Sequence, residues 1–348
     1  MQKEKIENMI GKIYCEDCLI TMSKIKDKSV NLIIADFPYF EVKGEFDFIW
    51  KDFSEFLEWV EICAKEFKRI LADNGSLYVY GHAKKIAYKQ IIFDKYFNLE
   101  NVIKWLKTDC QTRIGYENFN SYPPVTEHIL FYSNEVGMTG LEAISNDLGL
   151  YIPIRDYFKI ERQKAEKSLI EINKVCFGAT DGKDGMAGNI LSSYKKGWSF
   201  PTKERYEALQ KIGICLKPYD KLRLEYERLR LEYENKRRPF NNKHRVDDVI
   251  ALAQDVHITG TYKHPTQKTP RLSKILIETS SKENDLVYIP FGGSGTELEQ
   301  CQVLNRKYIG SEIESKYYEI ILDRLKNAKG EVGLFSDEII QKGLFDAN

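Results

Sequence analysis

Residues 285–312 read DLVYIPFGGSGTELEQCQVLNRKYIGSE, and this segment gives the strongest indication of the fold class. Asp285–Ile289 has the apolar character of a buried strand, Phe291–Thr296 is a glycine-rich turn, and Glu297–Leu304 has the composition of a helix. A second strand at Tyr308–Ile313 and a second helix follow. The order predicts a βαβα unit that opens on a glycine turn.

The turn and the acid after the second strand predict a ligand site. Gly292, Gly293 and Gly295 let a ligand approach the backbone, and the turn presents amide N–H groups at a helix N-terminus. Glu312 ends the second strand, where a carboxylate can accept both hydroxyls of an adenosine ribose. A tight turn without a ligand is the alternative. The spacing of the glycines is neither that of a dinucleotide site nor that of a P-loop. The turn, the strand before it and the acid after the next strand together favour an adenosine-containing cofactor.

The first 135 residues alternate in the same way. Val30–Ala35 is an apolar run typical of a strand buried on both faces, and it leads into Asp36-Phe37-Pro38-Tyr39. Helical spacing follows over Phe53–Leu71. Further elements are predicted as strands at 76–80, 101–107 and 127–133 and a helix at 83–95. The pattern predicts an α/β fold with a mostly parallel, twisted sheet and helices on both faces.

Composition excludes several classes of protein. The chain holds 52 Lys and Arg against 52 Asp and Glu, so its net charge is zero. The overall charge therefore gives no indication of a phosphate-bearing partner such as a nucleic acid. No apolar run approaches the roughly 18 residues that span a bilayer, and we expect a cytoplasmic protein with no membrane partner. The seven cysteines are odd in number and mostly isolated, which favours reduced thiols. Cys15 and Cys18 lack further close ligands, so no metal site is predicted.

The alternation is lost between residues 136 and 260, which predicts an insert, with residues 177–197 read as loops. Two copies of a seven-residue repeat in 222–235 predict one amphipathic helix that Pro239 ends. Residues 221–245 hold nine Lys and Arg against four Glu. Phosphate contacts are predicted for Lys195, Lys196, Lys236, Arg237 and Arg238. A solvated helix face with i to i+4 ion pairs is the alternative for the repeat.

Three motifs, taken together, resemble a known family. Asp36-Phe37-Pro38-Tyr39 resembles the D-P-P-Y of DNA amino-methyltransferases, and His264–Pro270 (HPTQKTP) and Phe291–Thr296 (FGGSGT) resemble their H-P-T-Q-K-P and F-x-G-S-G-T segments. The order of the motifs resembles the permuted class called β. The resemblance implies a Rossmann-like S-adenosylmethionine-dependent methyltransferase fold with permuted motif order and an inserted target-recognition region.

The resemblance also implies a division of the chain. Its parts are the catalytic half of the core at 1–135, the target-recognition insert at 136–260 with a charged helix at 221–238, the cofactor-binding half at 261–330, and a C-terminal tail at 331–348.

The catalytic motif suits methyl transfer to an exocyclic amine. The lone pair of such an amine is delocalised into the base, and hydrogen bonds to the Asp36 carboxylate and the carbonyl of Phe37 would localise and aim it. Pro38 shapes the turn, and Tyr39 is the candidate stacking partner of a flipped base. An ordinary turn is the alternative for this motif alone. No Pro-Cys pair occurs, which argues against carbon-5 methylation of cytosine.

The resemblance implies the residues that bind the cofactor. Asp17 would contact the adenine amino group, Cys18 would add a backbone contact, and Glu312 would hold the ribose. The residues that would line the methionine-bearing part are Phe291, Gly292, Gly293, Ser294, Gly295 and Thr296. Thr266, Gln267 and Lys268 would help bind the amino-acid end.

The function implied is sequence-specific methylation of adenine N6 in double-stranded DNA. An Asp that opens the catalytic motif usually accompanies adenine in this family. Cytosine-N4 methylation and a weak DNA-binding partner subunit of a modification system are the alternatives. The second follows from Phe37 in place of proline and Ile289 in place of the acid of D-P-F. The family allows a cognate restriction endonuclease and a homodimer.

Overall fold

A computed structural model describes residues 6–40, 50–109, 122, 124–134, 151–192, 198–254 and 267–328. The chain divides into two compact units. Unit 1 consists of residues 1–137 and 238–348, and unit 2 of residues 138–237. The sequence placed the end of the insert at residue 260, whereas the structure returns to unit 1 at residue 238.

Unit 1 is built on a sheet that has eight strands among the described residues. The strands are β1 (Lys12–Tyr14), β2 (Val30–Ala35), β3 (Leu71–Gly81), β4 (Asn98–Lys107), β5 (Thr126–Ser133), β6 (Val249–Leu252), β7 (Leu286–Ile289) and β8 (Lys307–Ser311). Their order is β1-β8-β7-β2-β3-β5-β4-β6. Every neighbouring pair is parallel except the two that involve β5. The mostly parallel sheet predicted from the sequence is confirmed.

Helices cover both faces of this sheet. In chain order the helices are α1 (Ile6–Met9), α2 (Cys18–Lys24), α3 (Phe53–Ile70), α4 (Ile86–Phe93), α5 (Ile152–Lys164), α6 (Leu169–Phe177), α7 (Gly185–Leu191), α8 (Lys203–Gln210), α9 (Tyr219–Lys236), α10 (Pro270–Ser280), α11 (Thr296–Val303) and α12 (Ser315–Asn327). Helices α1 to α4 pack on one face and α10 to α12 on the other. Because side chains alternate along a strand, Ile33 joins the first core and Ile34 the second.

Unit 2 is helical in its described residues and has its own apolar core. Helices α5 to α9 bury residues such as Phe158 and Tyr206. Helix α7 lies within the stretch predicted as loops, and that prediction is wrong because Ile190 and its apolar neighbours supply a buried helix face. In α9, Leu222 and Leu229 are buried seven residues apart.

The topology gathers loops at one edge of the sheet. Parallel strands place their carboxyl ends together, so the segments after β1, β2, β7 and β8 emerge side by side. Because β5 runs antiparallel, its amino end lies at the same edge as the carboxyl ends of β3 and β4. Among the described residues, no helix is long and apolar enough to cross a membrane.

Candidate active site

A cavity of about 250 Å³ lies at the carboxyl edge of the sheet. Of the residues singled out from the sequence, those that line it are Asp17, Cys18, Asp36, Phe37, Pro38, Tyr39, Phe291, Gly293 and Glu312. The motifs after β1, β2, β7 and β8 therefore meet at one site. Sequence reasoning did not single out the other lining residues, which are Glu16, Trp50, Trp59, Pro290, Ile313, Glu314 and Tyr317.

The glycine turn packs tightly against α12. A Cβ atom at Gly292 would lie 2.6 Å from Ile321 Cδ1, and Gly295 has a φ of 81°, a conformation that favours glycine. Arg324 is buried, donates to the carbonyl oxygen of Ser294 at 3.3 Å, and pairs with Glu299 at 2.8 Å. The turn is thereby fixed from behind by a buried arginine.

Glu312 is held by the backbone of the same site. Its Oε2 accepts from the Gly293 amide at 2.7 Å, and its Oε1 accepts from the Glu314 amide at 2.9 Å. Burial raises the pKa of the Glu312 carboxyl, and these two amide hydrogen bonds oppose the increase. Each oxygen has a further lone pair, so the carboxylate can still accept hydroxyl groups from a ligand.

Asp17 begins helix α2. Its Oδ1 accepts from the Leu19 amide at 2.7 Å, which makes it the N-cap of the helix. Cys18 is buried, and its carbonyl oxygen accepts from the Tyr288 hydroxyl at 3.3 Å. Both residues line the cavity, so the cap of α2 also forms its wall.

The turn at residues 36–39, which carries the predicted catalytic motif, is fixed by aromatic packing. Phe37 is 1% exposed, and its ring centroid lies 4.8 Å from that of Phe291 and 5.7 Å from that of Trp59. The Lys89 ammonium lies 4.9 Å from the centroid of the Phe37 ring. Lys89 is itself buried and donates to the carbonyl oxygen of Pro38 at 3.3 Å.

Four charged side chains and one tyrosine form a hydrogen-bonded group at one wall of the cavity. The Lys268 ammonium is 2.9 Å from Asp36 Oδ2, 3.0 Å from Glu127 Oε2 and 2.8 Å from the Tyr39 hydroxyl oxygen. The Tyr39 hydroxyl donates to Asp36 Oδ1 at 2.9 Å. Lys107 contacts the other oxygen of Glu127. We call Asp36, Tyr39, Lys107, Glu127 and Lys268 the Lys268 cluster.

Burial governs the proton affinity of Asp36. It raises the pKa of the Asp36 carboxyl above its usual range, while the Lys268 ammonium opposes the increase and Glu127 adds to it. Asp36 keeps 21% of its side chain exposed and lines the cavity. Asp36 and Tyr39 are therefore the members of the cluster that line the cavity.

Several predicted site residues lie elsewhere. Lys268 is buried behind Asp36 and does not line the cavity, and Gln267 Nε2 is buried without a hydrogen-bond partner among the described residues. Gly292, Ser294, Gly295 and Thr296 belong to the turn without lining the cavity. Thr266, Lys195, Lys196, the Lys236 side chain and the tail at 331–348 lie outside the described residues.

The basic residues of α9 and its end differ in their surroundings. Arg223 pairs with Glu227, four residues away on the same helix. Arg237 is exposed. Arg238 belongs to unit 1, where it pairs with Glu100 at 3.3 Å and lies over the Phe131 ring. The guanidinium of Arg238 therefore contacts side chains of unit 1.

Residues 30–323 match the model of a protein family described as DNA methylase, of the N6 and N4 type. The chain belongs to this family. The methyl donor of the family is S-adenosylmethionine. The residues of the cavity suit a nucleoside, because aromatic and apolar walls enclose carboxylates able to accept hydroxyl and amino groups.

Two relatives show the extent of the similarity. The chain is 25% identical to the type II methyltransferase M.HinfI of Haemophilus influenzae, across 97% of this chain and 76% of that protein. It is 24% identical to the DNA adenine methyltransferase YhdJ of Escherichia coli (strain K12), across 89% of this chain and 80% of that protein.

Solved structures share the fold. The M1.HpyAVI complex with S-adenosylmethionine matches with a TM-score of 0.51 and 17% identity, covering 90% of this chain and 98% of that one. The cytosine-N4-specific PvuII DNA methyltransferase matches with a TM-score of 0.51 and 13% identity, covering 95% and 90%. The predicted methyltransferase fold is confirmed.

Proposed function

We propose that this protein methylates the exocyclic N6 amine of an adenine flipped out of double-stranded DNA. The observation that carries the proposal is that Asp36 and Glu312 line one cavity at the carboxyl edge of the sheet. An acceptor for the target amine and an acceptor for the cofactor ribose thus share one space. The catalytic motif begins with Asp36, and in the family that this motif resembles an Asp at this position usually accompanies methylation of adenine. Adenine is therefore favoured over cytosine.

The cofactor would lie between the glycine turn and the cap of α2. Glu312 holds the ribose hydroxyls, Asp17 accepts from the adenine amino group, and Phe291 and Gly293 flank the rest. When bound, S-adenosylmethionine supplies a methyl group on a positively charged sulfur. The aromatic wall formed by Trp50 and Trp59, whose ring centroids are 5.0 Å apart, excludes water from this space.

The Asp36 side orients the amine. Its carboxylate accepts an amino N–H, which localises the nitrogen lone pair and directs it toward the methyl carbon. Tyr39 stacks on the base and returns part of the unstacking cost of a few kcal/mol. Direct transfer of the methyl group to the nitrogen that Asp36 orients would need no covalent intermediate with the protein.

Replacing Asp36 tests the proposal. We expect Asp36→Ala to abolish methyl transfer to unmethylated plasmid DNA while the affinity for S-adenosylmethionine, measured by calorimetry, falls far less. Glu319→Gln on the exposed side of α12 is the control. Retained turnover in Asp36→Ala would remove Asp36 from the mechanism.

Mass spectrometry of digested DNA identifies the base. The two fold neighbours do not separate the alternatives, because one is a cytosine-N4 enzyme. We expect N6-methyladenine after incubation of plasmid DNA with the enzyme. N4-methylcytosine in its place would support the second candidate, cytosine-N4 methylation. Sequencing with modified-base detection of DNA from expressing cells then gives the sequence context.

A further inference from the structure

Lys268 is the centre of a closed hydrogen-bond arrangement. The side chain is 2% exposed, and an ammonium group has three N–H donors. Those donors meet three acceptors, which are Asp36 Oδ2, the Tyr39 hydroxyl and Glu127 Oε2, at 2.8–3.0 Å. Every donor of the buried ammonium is thus used, and its position fixes that of the Asp36 carboxylate.

The fold brings the partners together from separate strands. Asp36 follows β2, Glu127 is the second residue of β5, and Lys107 is the last residue of β4. Lys107 pairs with Glu127 on the side away from Lys268. The four ionised groups alternate in sign, so the cluster is neutral as a whole and can be buried.

The two carboxylates on Lys268 have different environments. Burial alone would raise the pKa of Glu127, but Lys268 and Lys107 outweigh it and lower the pKa to about 2. Burial raises the pKa of Asp36, where only one ammonium opposes it. Two carboxyl groups whose proton affinities are separated in this way usually have different roles in a site. Glu127 stays ionised, and Asp36 is the group able to take a proton.

We propose that Glu127, acting through Lys268, positions Asp36 and tunes it to accept the proton that leaves the methylated amine. This rests on the proposed function. When the nitrogen lone pair forms the N–C bond, the methyl–sulfur bond breaks with its electrons on sulfur, and the nitrogen carries a positive charge. One N–H bond then breaks toward Asp36, an O–H bond forms, and the nitrogen regains its lone pair. The exposed edge of Asp36 returns the proton to water.

Glu127 and Lys268 are positioning residues in this scheme, because neither lines the cavity. The charged and titratable groups that act on Asp36 come from several elements. They are Lys268 before α10, Glu127 in β5, Tyr39 in the catalytic turn, Tyr80 in β3 and Glu297 in α11. Removing Glu127 deletes a like charge, and removing Lys268 deletes the opposite one. The two changes therefore shift the Asp36 titration in opposite directions.

Carbon-13 NMR of carboxyl-labelled aspartate in the DNA-free, full-length protein tests the inference, with Asp36→Asn assigning the resonance. In Glu127→Gln, which keeps the side-chain volume, we expect the Asp36 midpoint to fall by about 1 pH unit. In Lys268→Met we expect it to rise by about 1 to 3 pH units. Either variant decides alone if the other does not fold. An unchanged midpoint, or a shift of the opposite sign, would overturn the proposal.

Two controls separate tuning from general damage. Glu278→Gln removes another carboxylate that is ion-paired, with Lys243 and His244, outside the Lys268 cluster, and the Asp36 midpoint should not move. Lys268→Arg keeps the charge and should restore the wild-type midpoint. If the Asp36 midpoint moved as far in Glu278→Gln as in Glu127→Gln, the shift would reflect a general loss of stability and not a specific effect of Glu127 on Asp36.

Kinetics then connects the titration to transfer. We expect the rate of single-turnover methylation of plasmid DNA to depend on pH. In Glu127→Gln, the acidic limb of this pH–rate profile should shift to lower pH by as much as the NMR midpoint does. The affinity for S-adenosylmethionine should not change. An NMR shift without a shift of the limb would overturn the proton transfer to Asp36. Because the NMR titration needs no DNA, absence of methylation in every variant would instead count against the proposed function.

Discussion

Glu312→Gln is the most direct test of how the cavity binds a nucleoside. Both oxygens of Glu312 already accept backbone amides, from Gly293 at 2.7 Å and from Glu314 at 2.9 Å. A glutamine offers one oxygen and one NH2 group, so one of these amides would face a donor instead of an acceptor. The same substitution also replaces one of the two carboxylate oxygens that we expect to accept hydrogen bonds from the ribose hydroxyls.

The loss on the ligand side can be estimated. A hydrogen bond to a charged group contributes about 1.5–3 kcal/mol, and we expect the substitution to remove one such bond to the ribose. That free energy corresponds to a roughly 10- to 150-fold increase in the Kd for S-adenosylmethionine. The wild-type affinity should also weaken as the pH falls through the raised pKa of Glu312, because protonation removes an acceptor.

Isothermal titration calorimetry at neutral pH measures this change, and thermal unfolding shows whether the variant is folded. Glu319→Gln is the matched control, since Glu319 is an exposed acid on α12. A folded Glu312→Gln protein that binds S-adenosylmethionine with a Kd within about threefold of the wild type would refute the assignment of Glu312 to the ribose.

Three further outcomes are expected. Phe37→Ala should lower the free energy of unfolding in urea by about 3–5 kcal/mol, because the ring is fully packed, and a loss below about 1 kcal/mol would contradict that packing. Lys89→Met should slow single-turnover methyl transfer by about 10- to 100-fold, because the turn loses its hydrogen bond at the Pro38 carbonyl oxygen. Binding of S-adenosylmethionine should not weaken. An unchanged rate would show that the ammonium does not position the turn. Burial alone would raise the pKa of Glu278, but its partners lower the pKa to about 2, below the roughly 4.3 of an unfolded chain. The contribution of this carboxylate to the free energy of unfolding is therefore present above about pH 4.3 and is lost as the pH falls toward 2. Urea unfolding of Glu278→Gln should therefore depend less on pH in that window, and an equal dependence would exclude this carboxylate from acid unfolding.

The parts of the fold that could be predicted from the sequence are those with local signals. The glycine turn at 291–296 and the apolar runs before and after it specify a strand, a turn and a helix by short-range chemistry. Helix α7 has four apolar positions in a stretch rich in glycine and polar residues, and its burial depends on the core of unit 2. Strand β6 is four residues long and is recognisable only by its pairing with β4.

The Lys268 cluster shows why part of the site escapes sequence reasoning. Glu127 is the second residue of an apolar strand, a position where an acid is typical of an ordinary strand end. Its importance follows from the antiparallel direction of β5, which turns that end toward Asp36. The one available signal is that a polar residue stands next to a continuous apolar run, as Asp36 does after β2.

The departures from the family motif bear on whether the site is functional. Proline at position 37 would restrict the turn through its ring, whereas Phe37 is held by packing against Phe291 and Trp59. Lys89 holds the next carbonyl oxygen, that of Pro38. Ile289 is 1% exposed and packs in the core beneath α10 and α11, where a carboxylate would require a partner. Rigidity at the turn therefore has a source other than proline. A backbone carbonyl remains at position 37 whichever residue stands there. These departures therefore alter how the turn is fixed, and they leave in place the Asp36 carboxylate and the carbonyl that we propose as acceptors for the amine.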